Sequence, residues 1–261
     1  MNSKITPTQI QKSLMKNHTH DGLPSMVAGA WIILLWAFLG SNSALANLLI
    51  PEPFAKHQDI PILGTTLNHH GNPVGIVVHV GIEFEKRGDH TGLQVRFHPQ
   101  PGRFSPESQH AVRHAILLGS HGAGLNPESW SVTLTFPYRG VTMYGDSLSA
   151  MVGLSVVALV KGDPLPPDRV LTGTITPEGQ IGSVGGVPYK IYAAYARQIH
   201  RVLIPEERHV ADGDWQTPFL MQVSPVGTVS KAYYALTGHP LHSTPDSTFT
   251  LGTSLTFRIQ P

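Results

Sequence analysis

The chain has 261 residues, of which 41% are hydrophobic, enough for one fair-sized domain with appendages. Its formal net charge of +1 gives no basis for binding nucleic acid or an acidic substrate. It contains no cysteine, which excludes disulfides, thiolate catalysis and zinc sites built on cysteine.

The first 46 residues have the pattern of a secretory signal peptide. Basic residues precede an apolar run at 26–40, and the small residues Ala44 and Ala46 follow it. Cleavage near residue 46 would export the protein, in a bacterium to the periplasm. The rival interpretation is an uncleaved inner-membrane anchor that faces the periplasm. The run is shorter than the roughly 20 apolar residues that span a bilayer, which favours export.

Residues 47–73 contain several prolines without a clear period and predict a linker or N-terminal arm. From residue 74, alternating and β-branched segments predict strands, and apolar residues at helical spacing predict helices. The predicted strands are 75–84, 92–97, 130–136, 170–175, 201–204 and 248–259; the predicted helices begin near 106, 147, 186 and 226. Strands and helices alternate without a regular βαβ repeat, so the predicted fold class is α+β, or mixed α/β.

A serine and a lysine in the second half of the chain are candidate catalytic residues. Ser147 lies in the segment Gly-Asp-Ser-Leu-Ser at 145–149, and Lys190 ends the segment Gly-Gly-Val-Pro-Tyr-Lys at 185–190. A serine hydroxyl needs a neighbouring base to take its proton. Lysine can do so only where burial lowers its pKa. The apolar residues around Lys190 predict such burial.

Several motifs in order resemble the proteolytic domain of the Lon peptidases, most closely the archaeal membrane-type form. They are the two segments above, Thr-Gly-Thr-Ile-Thr at 172–176, Val-Leu-Ile-Pro at 202–205 and Val-Gly-Thr-Val at 226–229. The resemblance covers residues 74–238, and the stretch from the serine to the lysine aligns without a gap. It leaves 239–261 as a C-terminal extension with a terminal strand.

The resemblance implies a Lon-like fold of mixed sheets flanked by helices and the activity of a serine endopeptidase. It implies Ser147 as nucleophile, Lys190 as general base and Thr172 as the residue that orients the lysine. Backbone N–H groups near Ser147 are the expected oxyanion donors. Asp146 is interpreted as a turn residue that tunes access to the serine. The expected partners are protein or peptide substrates. The family resemblance also implies that copies of this chain assemble into a homo-oligomeric ring.

Ser149 is an alternative nucleophile, because it also precedes a small residue. Placing it in the motif would require a two-residue deletion before Gly162, so Ser147 is preferred. The sequence departs from the soluble Lon form at Thr174, where that form usually has Glu. It also has Thr133 and Thr135 where that form often has His, so no third catalytic member is apparent there.

No Gly-x-x-x-x-Gly-Lys segment occurs in the sequence, so the expected proteolysis is ATP-independent and uses no nucleotide. No cofactor or metal is expected. His110 and His114 have a spacing that can bind zinc, but no glutamate lies between them and no third ligand is evident, which favours a solvated face. The alternative function is a catalytically silent Lon-fold module for binding or assembly in the periplasm.

Overall fold

A computed structural model describes residues 56–242 of the chain. The signal peptide or anchor expected at 1–46 and the strand expected at 248–259 lie outside the described residues. No helix between residues 56 and 242 combines the length and apolar character needed to cross a membrane. Four helices and four sheets of two to four strands, the largest of them mixed, make up this part of the chain, which confirms the α+β class.

The largest sheet has four strands. They are β1 (Lys56–Leu67), β2 (Pro73–Lys86), β3 (Gln94–Phe97) and β5 (Trp130–Thr135). The order is β1-β2-β5-β3, in which β2 is antiparallel to both its neighbours and β3 is parallel to β5. On β5 the alternating apolar residues Trp130, Val132 and Leu134 are all buried as predicted, and Ser131 between the first two is buried as well.

Strand β1 corrects the prediction of a linker or arm at 47–73, which is wrong for residues 56–67. These residues pair with β2 over their whole length, and they bury Ile60 and Ile62. The prolines suggested irregular chain, but Pro61 is compatible with β1 because an edge strand tolerates a residue that lacks an N–H.

The second sheet is parallel, with the order β11-β10-β7. Its strands are β7 (Arg169–Leu171), β10 (Arg201–Pro205) and β11 (Gln222–Val226). Two short ladders complete the sheets: β4 (Arg103–Phe104) with β6 (Thr142–Met143), and β8 (Thr174–Ile175) with β9 (Ile181–Gly182). The strand predicted at 170–175 is therefore divided into β7 and β8. Gly173 divides it, with a φ of 154° and Ile181 too close to admit a Cβ.

The four helices are α1 (Pro106–Gly122), α2 (Ser149–Lys161), α3 (Val187–Ala196) and α4 (Val229–Thr237). Helix α2 begins close to the predicted position 147, and every residue from Ser149 to Leu159 is buried. It packs tightly on α1, since a Cβ on Gly153 would lie 2.7 Å from the carbonyl oxygen of Ala115. Helix α4 begins at Val229 rather than near 226, because residues 222–226 form β11 and Thr228 caps the helix.

The interior is divided into two hydrophobic clusters. The larger one joins α2 to the four-stranded sheet, α1 and α4. The smaller one lies against α3, and its buried members are Leu63, Val170, Val184, Val187, Ile191, Ala194, Ile199, Val202 and Ile204. Helix α3, against which this smaller cluster packs, carries the candidate residue Lys190.

Candidate active site

Ser147 lies in a turn between β6 and α2. The turn passes through Gly145 with a φ of 84°, a left-handed conformation that suits glycine. The N–H of Ser149 donates to the carbonyl oxygen of Asp146 at 2.9 Å. Ser147 is therefore held just ahead of the helix, in a partly exposed position on the wall of a groove.

The alternative nucleophile, Ser149, lies in the first turn of α2 and is only 1% exposed. Its side chain is enclosed by the core and does not line the groove, whereas Ser147 does. A substrate in the groove can therefore reach Ser147 but not Ser149.

Lys190 is buried in the first turns of α3, with 2% of the residue exposed. Its Nζ donates a hydrogen bond to Oγ1 of Thr172 at 3.1 Å. The same Thr172 hydroxyl donates to the carbonyl oxygen of Ser147 at 3.4 Å. Thr172 thus links the lysine amine to the backbone of the serine. Between residues 56 and 242 no hydrogen bond joins Lys190 directly to the Ser147 hydroxyl.

The charge state of Lys190 is set by opposing influences. Burial lowers the pKa of its amine from 10.5 to about 8, because a cation is poorly solvated there. The carboxylates of Asp212 and Asp146 act in the other direction and raise the pKa. The amine can therefore exist in its neutral, proton-accepting form at mildly alkaline pH.

Gly173, at the break between β7 and β8, fixes the turn that carries Ser147 through backbone hydrogen bonds. The N–H of Gly173 donates to the carbonyl oxygen of Ser147 at 2.9 Å, and the N–H of Ala150 donates to the carbonyl oxygen of Gly173 at 3.1 Å. The N–H groups of Ser149 and Ala150 are thus already engaged. Among the described residues no hydrogen bond uses the N–H groups of Ser147 and Leu148, which remain available to an oxyanion.

The groove has a volume of about 870 Å³ and is open to solvent along one side. Its walls come from β1, β2, the serine turn and α3. The apolar part of the lining includes Ile62, Val77, Phe136, Tyr138, Met143 and Leu148. The polar side chains of the lining include Asp146, Ser147, Lys190 and Arg197. An extended segment with apolar side chains fits such a lining.

The remaining candidates fall outside this constellation. Asp146 is an exposed residue of the serine turn and acts on Lys190 through its charge. Thr133 and Thr135 lie on β5, half-buried. The rings of His110 and His114 stack at 6.2 Å on an exposed face of α1, and the described part of the chain holds no group of three or more metal-ligating side chains.

Sequence reasoning missed Asp212. Its carboxylate accepts hydrogen bonds from the N–H groups of Gly186 and Val187 at the start of α3. No motif marks this aspartate, which lies in an irregular loop more than twenty residues beyond Lys190. Only the fold brings the two together.

Residues 121–217 match the family of the Lon protease (S16) C-terminal proteolytic domain. The chain is 29% identical over 108 residues to "Archaeal Lon protease" of Archaeoglobus fulgidus, covering 41% of this chain and 17% of that protein. It is 31% identical over 140 residues to "Lon protease" of Azorhizobium caulinodans, covering 51% of this chain and 16% of that protein. The chain thus spans less than a fifth of the length of these relatives.

Proposed function

We propose that this chain, whose residues 121–217 match the Lon-type proteolytic domain, is a serine peptidase that hydrolyses peptide bonds with a Ser147-Lys190 dyad. The observation that carries the proposal is the burial of Lys190 in the wall of the groove that also holds Ser147. Burial to 2% exposure costs stability and lowers the pKa of the amine, and groups perturbed in this way cluster at functional sites.

In the proposed reaction the neutral amine of Lys190 takes the proton of the Ser147 hydroxyl as Oγ attacks the substrate carbonyl carbon. The N–H groups of Ser147 and Leu148 stabilise the oxyanion that forms. Lys190 then gives its proton to the amide nitrogen, the C–N bond breaks, and an acyl-enzyme on Ser147 remains. Water, deprotonated by the same lysine, then attacks that ester, and Lys190 returns the proton to Oγ of Ser147 as the acid product leaves. Thr172 keeps the amine aimed at the serine turn.

The proposed substrates are unfolded or small proteins and peptides, because the groove is open and largely apolar. We also propose that cleavage by this chain needs no nucleotide, since its sequence contains no phosphate-binding Gly-x-x-x-x-Gly-Lys segment. The signal-like pattern of residues 1–46 supports export to a periplasm, or anchoring there if that segment stays uncleaved. N-terminal sequencing of the mature protein decides between the two, and light scattering tests for a homo-oligomeric ring.

The central test compares the wild type with Ser147→Ala and Lys190→Met on casein and a fluorogenic peptide, with and without ATP and magnesium. We expect cleavage by the wild type at the same rate in both conditions, and none above background by either variant. Ser149→Ala is the matched control, because it removes a hydroxyl two residues away that does not face the groove; we expect it to retain cleavage.

Equal activity of wild type and Ser147→Ala would overturn the assignment of the nucleophile. A folded wild type that cleaves nothing and is not labelled on Ser147 by a fluorophosphonate would instead support the catalytically silent binding module. Stimulation by ATP would contradict nucleotide-independent cleavage but would leave the assignment of the Ser147-Lys190 dyad unaffected.

A further inference from the structure

The N-terminus of α3 is capped by a residue that is distant in sequence. Gly186 occupies the N-cap position with a φ of 72° and has no side chain with which to cap the helix. Its N–H donates to Oδ1 of Asp212 at 2.7 Å, and the N–H of Val187 donates to Oδ2 at 3.1 Å. One carboxylate thus satisfies two of the four N–H groups that a helix leaves free at its start. Lys190 follows one turn later.

The loop at 206–221 that carries Asp212 is itself fixed by contacts. Trp215 packs against the smaller hydrophobic cluster, and the guanidinium of Arg208 lies 4.4 Å from the centre of its ring. The N–H of Asp212 donates to the carbonyl oxygen of His209 at 3.0 Å. The carboxylate is therefore presented to α3 by a loop with its own anchor.

The negative charge of Asp212 also raises the pKa of the Lys190 amine. Of the two carboxylates that raise the pKa of the amine, Asp212 has the larger effect and Asp146 the smaller. The third polar group facing the amine is the Thr172 hydroxyl, which accepts its hydrogen bond. A negative charge at the start of α3 also interacts favourably with the positive end of the helix dipole.

We propose, building on the Ser147-Lys190 mechanism above, that Asp212 is a positioning residue of the peptidase, which fixes the first turn of α3 and so holds the Lys190 amine against Thr172. It acts through Lys190 and does not touch the substrate. Its negative charge also raises the pKa of the Lys190 amine, against the larger lowering by burial, and so shifts the pH range in which the base is neutral.

The test uses three variants of the full chain. Asp212→Ala removes both hydrogen bonds, and Asp212→Asn keeps a carbonyl oxygen as acceptor but removes the charge. Asp214→Asn is the matched control: it removes the same charge from the same loop, where Asp214 is fully exposed and, within residues 56–242, pairs with Arg208 alone, at 3.4 Å. Two quantities are measured: kcat and KM as a function of pH, and hydrogen exchange in peptides that span α3.

We expect Asp212→Ala to lower kcat roughly tenfold with little change in KM, because the base is displaced. We expect Asp212→Asn to move the acid limb of the kcat/KM profile to lower pH, because loss of the carboxylate lowers the pKa of Lys190. Hydrogen exchange at the start of α3 should accelerate in Asp212→Ala. The control, Asp214→Asn, should leave the pH profile and the exchange unchanged.

An unaltered acid limb in Asp212→Asn, or equal effects of Asp212→Asn and Asp214→Asn, would overturn the proposal. So would unchanged exchange in Asp212→Ala. If Asp212→Ala does not fold, Asp212→Asn decides, since it retains one hydrogen-bond acceptor. Hydrogen exchange does not require cleavage, so a wild type without activity would refute the peptidase proposal while leaving the role of Asp212 in holding α3 open to measurement.

Discussion

Replacing Lys190 by methionine should stabilise the folded protein at neutral pH, even though it should abolish cleavage. Lys190 is 2% exposed, so the charged form of its amine has lost most of its hydration. Methionine has a similar length, carries no charge and can fill the same space among apolar neighbours. Thr172 loses a donor but still donates its own hydroxyl to the carbonyl oxygen of Ser147.

The size of the effect follows from the two pKa values of the lysine. Burial lowers the pKa of Lys190 in the folded protein from 10.5 to about 8, so between these values the unfolded chain binds more protons. The stability of the wild type therefore rises with pH in this window, and the penalty is present in full below about pH 8. At 1.36 kcal/mol per pH unit, the difference from 10.5 to about 8 corresponds to about 3 kcal/mol.

The assay is urea unfolding of wild type and Lys190→Met at a series of pH values from about 7 to about 10.5. The difference in free energy of unfolding between the two proteins should shrink by about 3 kcal/mol across the series. Lys231→Met, which removes a lysine whose side chain is 67% exposed on α4, controls for the loss of a charge. A difference that stays constant with pH would refute the reasoning, because Lys190 would then be an ordinary cation.

Two further substitutions test the framework around the lysine. Thr172→Val keeps the shape of a fully buried side chain but removes the acceptor of the Lys190 hydrogen bond, so kcat in a peptide assay should fall roughly ten- to a hundredfold; full activity would exclude an orienting role. Gly75→Ala should destabilise the protein by about 1–3 kcal/mol in urea unfolding, because its Cβ would overlap the carbonyl oxygen of Tyr189 on α3. Gly88→Ala meets open space, so an equal loss there would contradict this explanation.

Much of the fold was predictable because local patterns coincide with tertiary burial. On β5 the alternating apolar residues are buried on one face of the strand. On α2 the continuous apolar run is buried on all faces of the helix. Strand β1 was not predictable in the same way. It is an edge strand of mixed polarity with a proline, and its partner β2 lies beyond a turn, so its pairing rather than its own sequence defines it.

The residues of the candidate site likewise fall into those that the sequence predicted and those that only the fold reveals. Ser147, Lys190 and Thr172 lie in segments with recognisable spacing, so they could be named in advance as candidates. The apolar run of α2 predicts a buried helix, but that Ser149 falls inside it while Ser147 stays outside depends on the turn that precedes the helix. Asp212 depends on the path of the loop at 206–221, since its two hydrogen bonds reach back to a helix that began more than twenty residues earlier.

The opposition between burial and carboxylates at Lys190 has a chemical consequence for the proposed mechanism. A lysine base must first accept a proton from the serine and then donate it to the leaving amine, so a very low pKa would impair the second step. Burial alone would lower the pKa of Lys190 further and favour the neutral amine more strongly. The charges of Asp212 and Asp146 counteract it, and the resulting pKa of about 8 leaves both protonation states accessible near physiological pH. On this argument the two aspartates serve the proton transfer to the leaving group, and their removal should impair amide cleavage more than the cleavage of an activated ester, whose leaving group needs no proton.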